Sequence, residues 1–150
     1  MMERIYRGQS VDGEWHEGFL LRSPGAKQNR PGEGWYISAA DEKPYAHLVK
    51  PMSVGMSTGL RDWNGQTVFE GDILKDVHCG KEVIFAVKYG EYSDYGIGHI
   101  GFYAEFIENW LHDVHGLATN VVTAKVVGNV IDTPELMGMS AGKEQQHEVD

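Results

Sequence analysis

Turn-forming glycines recur along the whole chain and divide it into short segments. The sequence has 19 glycines among 150 residues, together with four tryptophans and seven tyrosines. Glycine at this frequency supplies the backbone angles of tight turns, and aromatic residues favour strands. The chain is therefore expected to form a mainly β fold (β-rich α+β), either barrel-like or built as a two-layer antiparallel sheet.

Two dipeptides and one alternating segment locate the first strands. Asp12-Gly13 and Asn64-Gly65 are favoured in two-residue hairpin turns, so we expect a hairpin at each of them. In residues 81–89, Val83, Phe85, Val87 and Tyr89 fall on one face of an extended chain, and Glu82 and Lys88 fall on the other. This alternation predicts a central strand of the sheet.

The last third of the chain has a different pattern. Between residues 102 and 115 apolar side chains recur three and four positions apart, which predicts a single helix around residues 102–115 that packs on the sheet. Residues 121–131 are rich in Val and Ile and predict a buried strand. From residue 138 onward polar residues dominate, so we expect one domain over residues 1–137 and a disordered tail over 138–150.

Charge and hydropathy disfavour two classes of partner. The formal net charge is -9, and nucleic-acid binding depends on clustered Lys and Arg, so nucleic acid is not the expected partner. No window approaches the about eighteen apolar residues of a membrane span, and the N-terminal residues lack the apolar core of a signal peptide. We therefore expect a protein of the cytoplasm that does not contact a membrane.

The most distinctive block runs from Thr58 to Lys75 and combines a hairpin with a second tight corner. It reads T-G-L-R-D-W-N-G-Q-T-V-F-E-G-D-I-L-K, and a second block, V-G-N-V-I-D-T-P-E-L, occupies residues 127–136. The two blocks, in this order, resemble the YopX-like proteins of bacteriophages and prophages. The resemblance implies a phage or prophage accessory protein, in a bacterial host cell, with a compact β-rich fold and no established enzymatic activity.

The positions that carry the resemblance are expected to be structural rather than catalytic. Glycines suit turns, and the short polar side chains of Asp and Asn hydrogen-bond to nearby backbone. The positions that we assign to this structural motif are Thr58, Gly59, Leu60, Asp62, Gly65, Glu70, Gly71, Asp72, Gly128, Asn129 and Pro134.

Trp63 is the leading candidate for a binding residue. It sits at the expected tip of the second hairpin, where an apolar side chain has little core to join. The indole either folds back onto a neighbouring strand, which we favour, or presents itself to a partner. Trp63, Asn64 and Arg61 are the predicted binding residues of a non-enzymatic protein-interaction module. Its expected partner is an unidentified host or phage protein, and association with further copies of the chain through exposed strand edges stays open.

Patterns that would indicate an enzyme are weak. Ser53 or Ser57 followed by Lys88 faintly resembles the Ser-Lys peptidases, in which a desolvated lysine activates a serine. The proline expected after Ser-Met is missing, and Lys88 alternates with apolar neighbours as an outward-facing residue does. We assign no catalytic residue. A nucleic-acid-associated regulatory protein is the runner-up, and a Ser-Lys hydrolase is a remote alternative.

Metal and cofactor sites also find little support in the sequence. His112 and His115 are spaced by one helical turn, but no Cys-x-x-Cys or His-Glu-x-x-His pattern accompanies them or the earlier His78, Cys79 and His99. The G-x-G-x-x-G pattern in residues 96–101 lacks the βαβ context of a nucleotide site. We therefore predict neither a metal nor a cofactor.

Overall fold

The computed structural model describes residues 5–25, 32–39, 46–107 and 117–138. Contacts divide the chain into two compact units, Met1–Ser57 and Thr58–Asp150. The elements within the described ranges are the strands β1 (Tyr6–Gln9), β2 (Trp15–Ser23), β3 (Gly34–Ser38), β4 (His47–Val49), β5 (Gly55–Arg61), β6 (Thr67–Phe69), β7 (Asp72–His78), β8 (Lys81–Asp94), β9 (Ile97–Phe106) and β10 (Lys125–Asn129), the helix α1 (Leu117–Val121), and two 3₁₀ turns at Pro51–Ser53 and Pro134–Met137.

The prediction of a mainly β fold is confirmed. The strands pair in two antiparallel sheets, and the described residues form no closed barrel. None of the described helices is long and apolar enough to cross a membrane. The predicted single domain over residues 1–137 stays a prediction, and residues 139–150 of the predicted tail lie outside the described residues.

The first unit is a meander of short antiparallel strands in the order β4-β3-β2-β1, with the first residues of β5 added beside β1. The predicted hairpin at Asp12-Gly13 joins β1 to β2. Its loop spans residues 10–14 rather than two residues, because the N–H of Ser10 donates to the carbonyl of Glu14 and closes a wider turn.

The carboxylate of Asp12 organises this wider turn. The Ser10 hydroxyl and the backbone N–H of Glu14 both donate to it, and these two bonds, the hydroxyl first, lower the pKa of Asp12 below its ordinary value of 3.8. A lowered pKa means that this contribution to stability is present above the unfolded-state pKa and is lost as pH falls through the folded-state pKa.

We expect Ser10→Ala to raise the pKa of Asp12 toward its ordinary value, because the largest cause of the shift is removed. Carboxyl-carbon chemical shifts followed through a pH titration measure this directly. The same substitution is expected to leave the pKa of exposed carboxyl groups elsewhere in the chain unmoved. An unchanged Asp12 titration would show that the hydroxyl does not hold the turn.

The second unit contains a four-stranded antiparallel sheet in the order β10-β7-β8-β9. β5 continues into this unit from the first one, and its later residues pair with β6 in the second predicted hairpin. The predicted central strand is confirmed, because β8 pairs with β7 on one side and with β9 on the other. The buried core of this unit consists of Val68, Leu74, Phe85, Val87, Ala104, Leu117, Val121 and Ala124.

The helix predicted around residues 102–115 is wrong over its first part. Residues 102–106 belong to β9, and Phe106 pairs with Phe85 at the end of a ten-residue ladder. Phe102, Ala104 and Phe106 also alternate, so the spacing fitted a strand as well, and pairing with β8 decided between the two. A short helix, α1, begins only at Leu117, and residues 108–116 lie outside the described residues.

The buried strand predicted over residues 121–131 is also wrong in its bounds and burial. Val121 lies in α1, and β10 begins at Lys125. No residue of β10 is buried, and Val127 is exposed. β10 pairs with β7 alone among the described strands, and a strand at the edge of a sheet loses less surface to its neighbours than a central strand does.

Candidate interaction surface

The loop between β5 and β6 is built around the carboxylate of Asp62. This side chain is buried, and its Oδ1 accepts the backbone N–H groups of Asn64 at 2.9 Å and Gln66 at 2.8 Å. The N–H of Gly65 donates to the Asp62 carbonyl at 2.9 Å, and Gly65 has a φ of 81°. A short acceptor side chain at the start of the loop therefore fixes the five-residue turn 62–66.

The same loop is tied to the chain segment that precedes β10. Oδ2 of Asp62 accepts the N–H of Val126 at 2.9 Å, and the N–H of Trp63 donates to the carbonyl of Ala124 at 2.8 Å. Ala124 is fully buried in the core of the second unit. The backbone on both sides of the Trp63 side chain is thus held by hydrogen bonds to buried groups.

The Trp63 side chain nevertheless points away from the core. It is 63% exposed, so the expectation that the indole folds back onto a neighbouring strand is wrong. The bond from the Trp63 N–H to the Ala124 carbonyl fixes the main chain at this position, and the side chain extends from it into solvent. The result is an exposed aromatic group on a backbone with little freedom to move.

The other two predicted binding residues lie beside Trp63. Asn64 and Arg61 are both exposed, and the Arg61 guanidinium donates to the carbonyl of Gly65 at 2.8 Å. A guanidinium has five donors, so this bond leaves most of them for other groups. We call Arg61, Trp63 and Asn64 the Trp63 surface: an aromatic side chain between one cation and one amide.

The structural-motif residues before this loop fix the strands around it. The Thr58 hydroxyl donates to the carbonyl of Val68 at 2.7 Å and accepts the N–H of Leu60 at 3.1 Å. Gly59 has a φ of 79°, which suits a residue without a Cβ, and Leu60 packs against the core. These three residues set the direction in which β5 enters the turn.

The Glu70-Gly71-Asp72 corner joins β6 to β7. Asp72 is almost completely buried, and its carboxylate accepts the N–H of Phe69 at 2.8 Å. The N–H of Gly71 donates to the carbonyl of Val87 at 2.9 Å. Gly71 also has a φ of 93°, and Glu70 is half-buried. Gly71 and Asp72 therefore both serve to hold the corner between β6 and β7.

The second motif forms a tight turn after β10. Oδ1 of Asn129 accepts the N–H groups of Ile131 at 2.9 Å and Asp132 at 2.8 Å, while the Asn129 N–H donates to Oγ1 of Thr133 at 3.0 Å. Pro134 then begins a 3₁₀ turn, where its missing N–H is not needed. Gly128 lies against this turn so closely that a Cβ would meet Oγ1 of Thr133 at 2.1 Å.

The histidine and cysteine candidates do not form a metal centre within the described ranges. No group of three His, Cys, Asp or Glu residues that could hold a metal ion occurs there. His78 lies 3.6 Å from the Asp76 carboxylate, Cys79 is exposed at the β7–β8 turn, and His99 stacks on Tyr92. His112 and His115 lie outside the described residues.

Ser53 and Lys88, two of the three candidates for a hydrolase, are held in structural contacts. Ser53 is buried, its hydroxyl donates to the carbonyl of Lys50 at 2.6 Å and it accepts the N–H of Gln9 at 2.8 Å. The Lys88 ammonium is 3.8 Å from the Glu105 carboxylate, and its side chain is 44% exposed. A solvated lysine paired with a carboxylate is a poor general base, so this geometry does not fit Ser-Lys chemistry.

The first unit contains one cluster that sequence reasoning missed. The rings of His16 and His47 stack with centroids 3.8 Å apart and planes 10° apart. Together with Glu14, Trp15 and Glu17 they line a cleft of about 550 Å³. These histidines lie on β2 and β4, and no spacing in the sequence indicates that the two strands bring them together.

Comparison with known proteins identifies the family of this chain. A family model described as "YopX protein" matches residues 20–138 of the 150. The match covers both motif blocks, the Trp63 surface and the whole of the four-stranded sheet. No curated protein matches the chain.

Proposed function

The chain belongs to the YopX protein family, and on that premise we propose that it is a phage or prophage accessory protein that binds another protein through the Trp63 surface. The proposed setting is the cytoplasm of a bacterial host cell. The observation that carries the proposal is the 63% exposure of an indole whose backbone is fixed on both sides. The proposal is non-enzymatic, because the motif residues serve turns and strands rather than a reactive centre.

A fixed, exposed tryptophan has the properties of a binding anchor. Tryptophan and arginine dominate the residues that contribute most to protein interfaces. An anchor held in place before binding loses little conformational entropy when the complex forms. The hydrogen bonds of Trp63 and Asn64 to Ala124 and Asp62 provide this preorganisation. Arg61 and Asn64 supply the polar rim that orients a partner.

Nucleic acid remains the runner-up partner and is less favoured by charge. Two arginines in the first unit lie over tryptophan rings, Arg7 over Trp15 at 4.8 Å and Arg22 over Trp35 at 5.5 Å. Arg22 also lies 4.0 Å from a Glu33 carboxylate oxygen. These guanidinium groups already contact side chains of the first unit. The net charge of -9 also opposes binding to phosphates.

The test is affinity capture from host lysate at moderate salt, with and without nuclease, followed by mass spectrometry. One protein retained in near-stoichiometric amount under both treatments supports the proposal. Retention that is lost after nuclease treatment supports the nucleic-acid alternative. Equal capture by the wild type and by the variant described next would overturn the assignment of the Trp63 surface.

We expect Trp63→Ala to weaken capture of the partner at least about 30-fold, which corresponds to the 2 kcal/mol or more of an interface hot spot. The melting temperature is expected to change little, because the removed side chain is mostly in solvent. Met52→Ala is the matched control, since Met52 is a large apolar side chain that is 79% exposed. The control is expected to retain the partner. A large fall in melting temperature would instead assign Trp63 a structural role.

A further inference from the structure

Within the described part of the chain, strand β9 is a long sheet edge without the usual protections. It is the last strand in the order β10-β7-β8-β9, so no described strand pairs with its outer side. Its sequence, I-G-H-I-G-F-Y-A-E-F, contains no lysine, arginine or proline and a single acidic residue. Natural proteins usually protect such edges with charges, prolines, bulges or short length.

The other edges among the described strands do have these protections. β4 and β6 are three residues long. β10 is five residues long, begins with Lys125 and is interrupted by a bulge between Val126 and Gly128. β9, at ten residues, is the exception. A protein that protects its other edges and leaves one open has a use for that edge.

The outer half of the β8–β9 hairpin also exposes apolar groups. Beyond Val87, β8 pairs with β9 alone among the described strands, so residues 88–103 form a two-stranded arm. Ile97 is 63% exposed and Ile100 is 72% exposed. A two-stranded hairpin with exposed apolar side chains is marginal alone and is stabilised by a further strand.

The arm is nevertheless built in a defined register. Tyr95 and Gly96 form its two-residue turn, with φ angles of 52° and 78°, the geometry that matches the twist of the flanking strands. Tyr92 stacks on His99 at 5.3 Å, and Tyr89 meets Phe102 edge-on at 5.0 Å. The free edge is therefore a fixed template rather than a loose loop.

We propose that the occupant of this edge is β9 of a second copy of the chain, paired antiparallel about a twofold axis near Phe102. Such a pairing uses the same edge in both copies, so it closes at a dimer and leaves only the two β10 edges, which are short and interrupted by a bulge. It joins two four-stranded sheets into one of eight strands. The proposal concerns a surface separate from Trp63 and does not depend on the proposed function.

The direction of the backbone groups fits this pairing. A two-residue turn makes Asp94 and Ile97 a hydrogen-bonded pair, and such pairs alternate along an antiparallel ladder. The bond from the Ile107 N–H to the Ile84 carbonyl follows the same alternation. The N–H and C=O groups of Ile100 and Phe102 consequently point outward, where a second strand can receive them.

The side-chain pairs that would form between two copies of β9 favour a twofold axis at Phe102. With the axis at Phe102, His99 of one copy lies opposite Glu105 of the second copy, so an imidazole donor faces a carboxylate. Gly101 lies opposite Tyr103 of the second copy, which leaves space for the tyrosine ring. Residues 97–106 carry a single acidic group although the chain has a net charge of -9, so like-charge repulsion along this strand is small.

The test is sedimentation velocity and native mass measurement of the full chain across a concentration series. We expect a species of twice 16.7 kDa with a dissociation constant in the micromolar range, since one paired strand buries less than a standard interface of about 1,600 Å². A monomer at every concentration up to about 1 mM would overturn the proposal.

Substitution decides whether β9 is the contact. Ile100→Lys is expected to raise the dimer dissociation constant at least tenfold, because lysine is the residue that natural edges use to prevent pairing. His99→Glu is a second variant that is expected to raise the dissociation constant, because it places a carboxylate opposite the Glu105 carboxylate of the second copy. Val77→Lys, on the interior strand β7 and 59% exposed before substitution, is the matched control and is expected to leave the dimer intact. A dimer unaffected by Ile100→Lys and His99→Glu would overturn the assignment to β9.

Hydrogen exchange reports on individual backbone amides of β9, so it separates edge pairing from a general change in stability. In the monomer the outward amides of Ile100 and Phe102 are expected to exchange fast and the inward amides of Gly101 and Tyr103 slowly. At concentrations that favour the dimer, all four are expected to exchange slowly. Outward amides that exchange equally fast at both concentrations would contradict edge pairing.

Discussion

Replacing Asp62 with alanine is expected to destabilise the protein by about 4 kcal/mol. The carboxylate accepts three backbone N–H groups, from Asn64, Gln66 and Val126, and the side chain is buried. Hydrogen bonds to a charged acceptor contribute about 1.5 to 3 kcal/mol each, and the donors left behind lose their partners in a region where water replaces them poorly.

The measurement is urea-induced unfolding, supported by a melting temperature that is expected to fall by about 10 °C. Asp62→Asn keeps one acceptor oxygen and turns the other into a donor, so we expect about half of the loss. Asn64→Ala is the matched control in the same loop, because its backbone N–H bond to Asp62 is retained. Its expected change is within about 0.5 kcal/mol.

Equal stability of Asp62→Ala and the control would show that water satisfies these amides and that the loop is not fixed by the carboxylate. In that case the Asp62 carboxylate would also not make the Trp63 backbone rigid. Exchange rates of the Asn64 and Gln66 amides test this step directly, since both are expected to accelerate in Asp62→Ala. The stability of the loop and the preorganisation of the binding surface are therefore linked by one side chain.

Much of the local structure could be predicted from short sequence patterns. The two dipeptides, Asp12-Gly13 and Asn64-Gly65, each lie in a hairpin loop, as expected. The alternation in residues 81–89 correctly predicted a central strand. These features depend on residues that are neighbours in the chain, and turn chemistry and alternation are local properties.

The errors arise where distant residues decide the structure. Both hairpin loops are five residues long because backbone and carboxylate bonds close them, which a dipeptide does not encode. Residues 102–106 have a spacing that fits a helix, but the facing strand β8 makes them part of a ladder. Pairing with a strand that is already formed outweighs a propensity of a few tenths of a kcal/mol per residue.

In the candidate site, too, the features that neighbouring residues determine could be predicted, and those that distant residues determine could not. The position of Trp63 at a hairpin tip followed from Asn64-Gly65, and Arg61 and Asn64 lie beside it because they are neighbours in sequence. The exposure of the indole did not follow. The main chain at Trp63 is held by a bond between its N–H and the Ala124 carbonyl, a contact between distant segments that no local pattern predicts.

Gly128→Ala is expected to destabilise the protein by about 3 kcal/mol. An added Cβ would lie 2.1 Å from Oγ1 of Thr133 and 2.8 Å from Cδ1 of Leu136. Thr133 cannot turn away without loss, because its Oγ1 accepts the N–H of Asn129 and donates to the Asn129 carbonyl. The methyl group therefore either clashes or breaks the turn that follows β10.

Gly65→Ala is the control that separates crowding from backbone conformation. Gly65 has a φ of 81°, but nothing lies within 4 Å of an added Cβ, so its expected cost is the roughly 1 kcal/mol of a positive φ alone. Unfolding in urea measures both variants. Equal losses at the two positions would show that the contact with Thr133 is not the cause at Gly128.

A double-mutant cycle with Thr133→Ala tests the named contact. Removing Oγ1 relieves the closest approach, so Gly128→Ala is expected to cost at least about 1 kcal/mol less in the Thr133→Ala background than in the wild type. Strictly additive losses would assign the cost to Leu136 or to the backbone instead. A double-mutant loss smaller than the sum of the single losses would establish that one neighbouring hydroxyl group requires glycine at this position. The Val-Gly-Asn sequence of the second motif would then have a structural cause rather than a catalytic one.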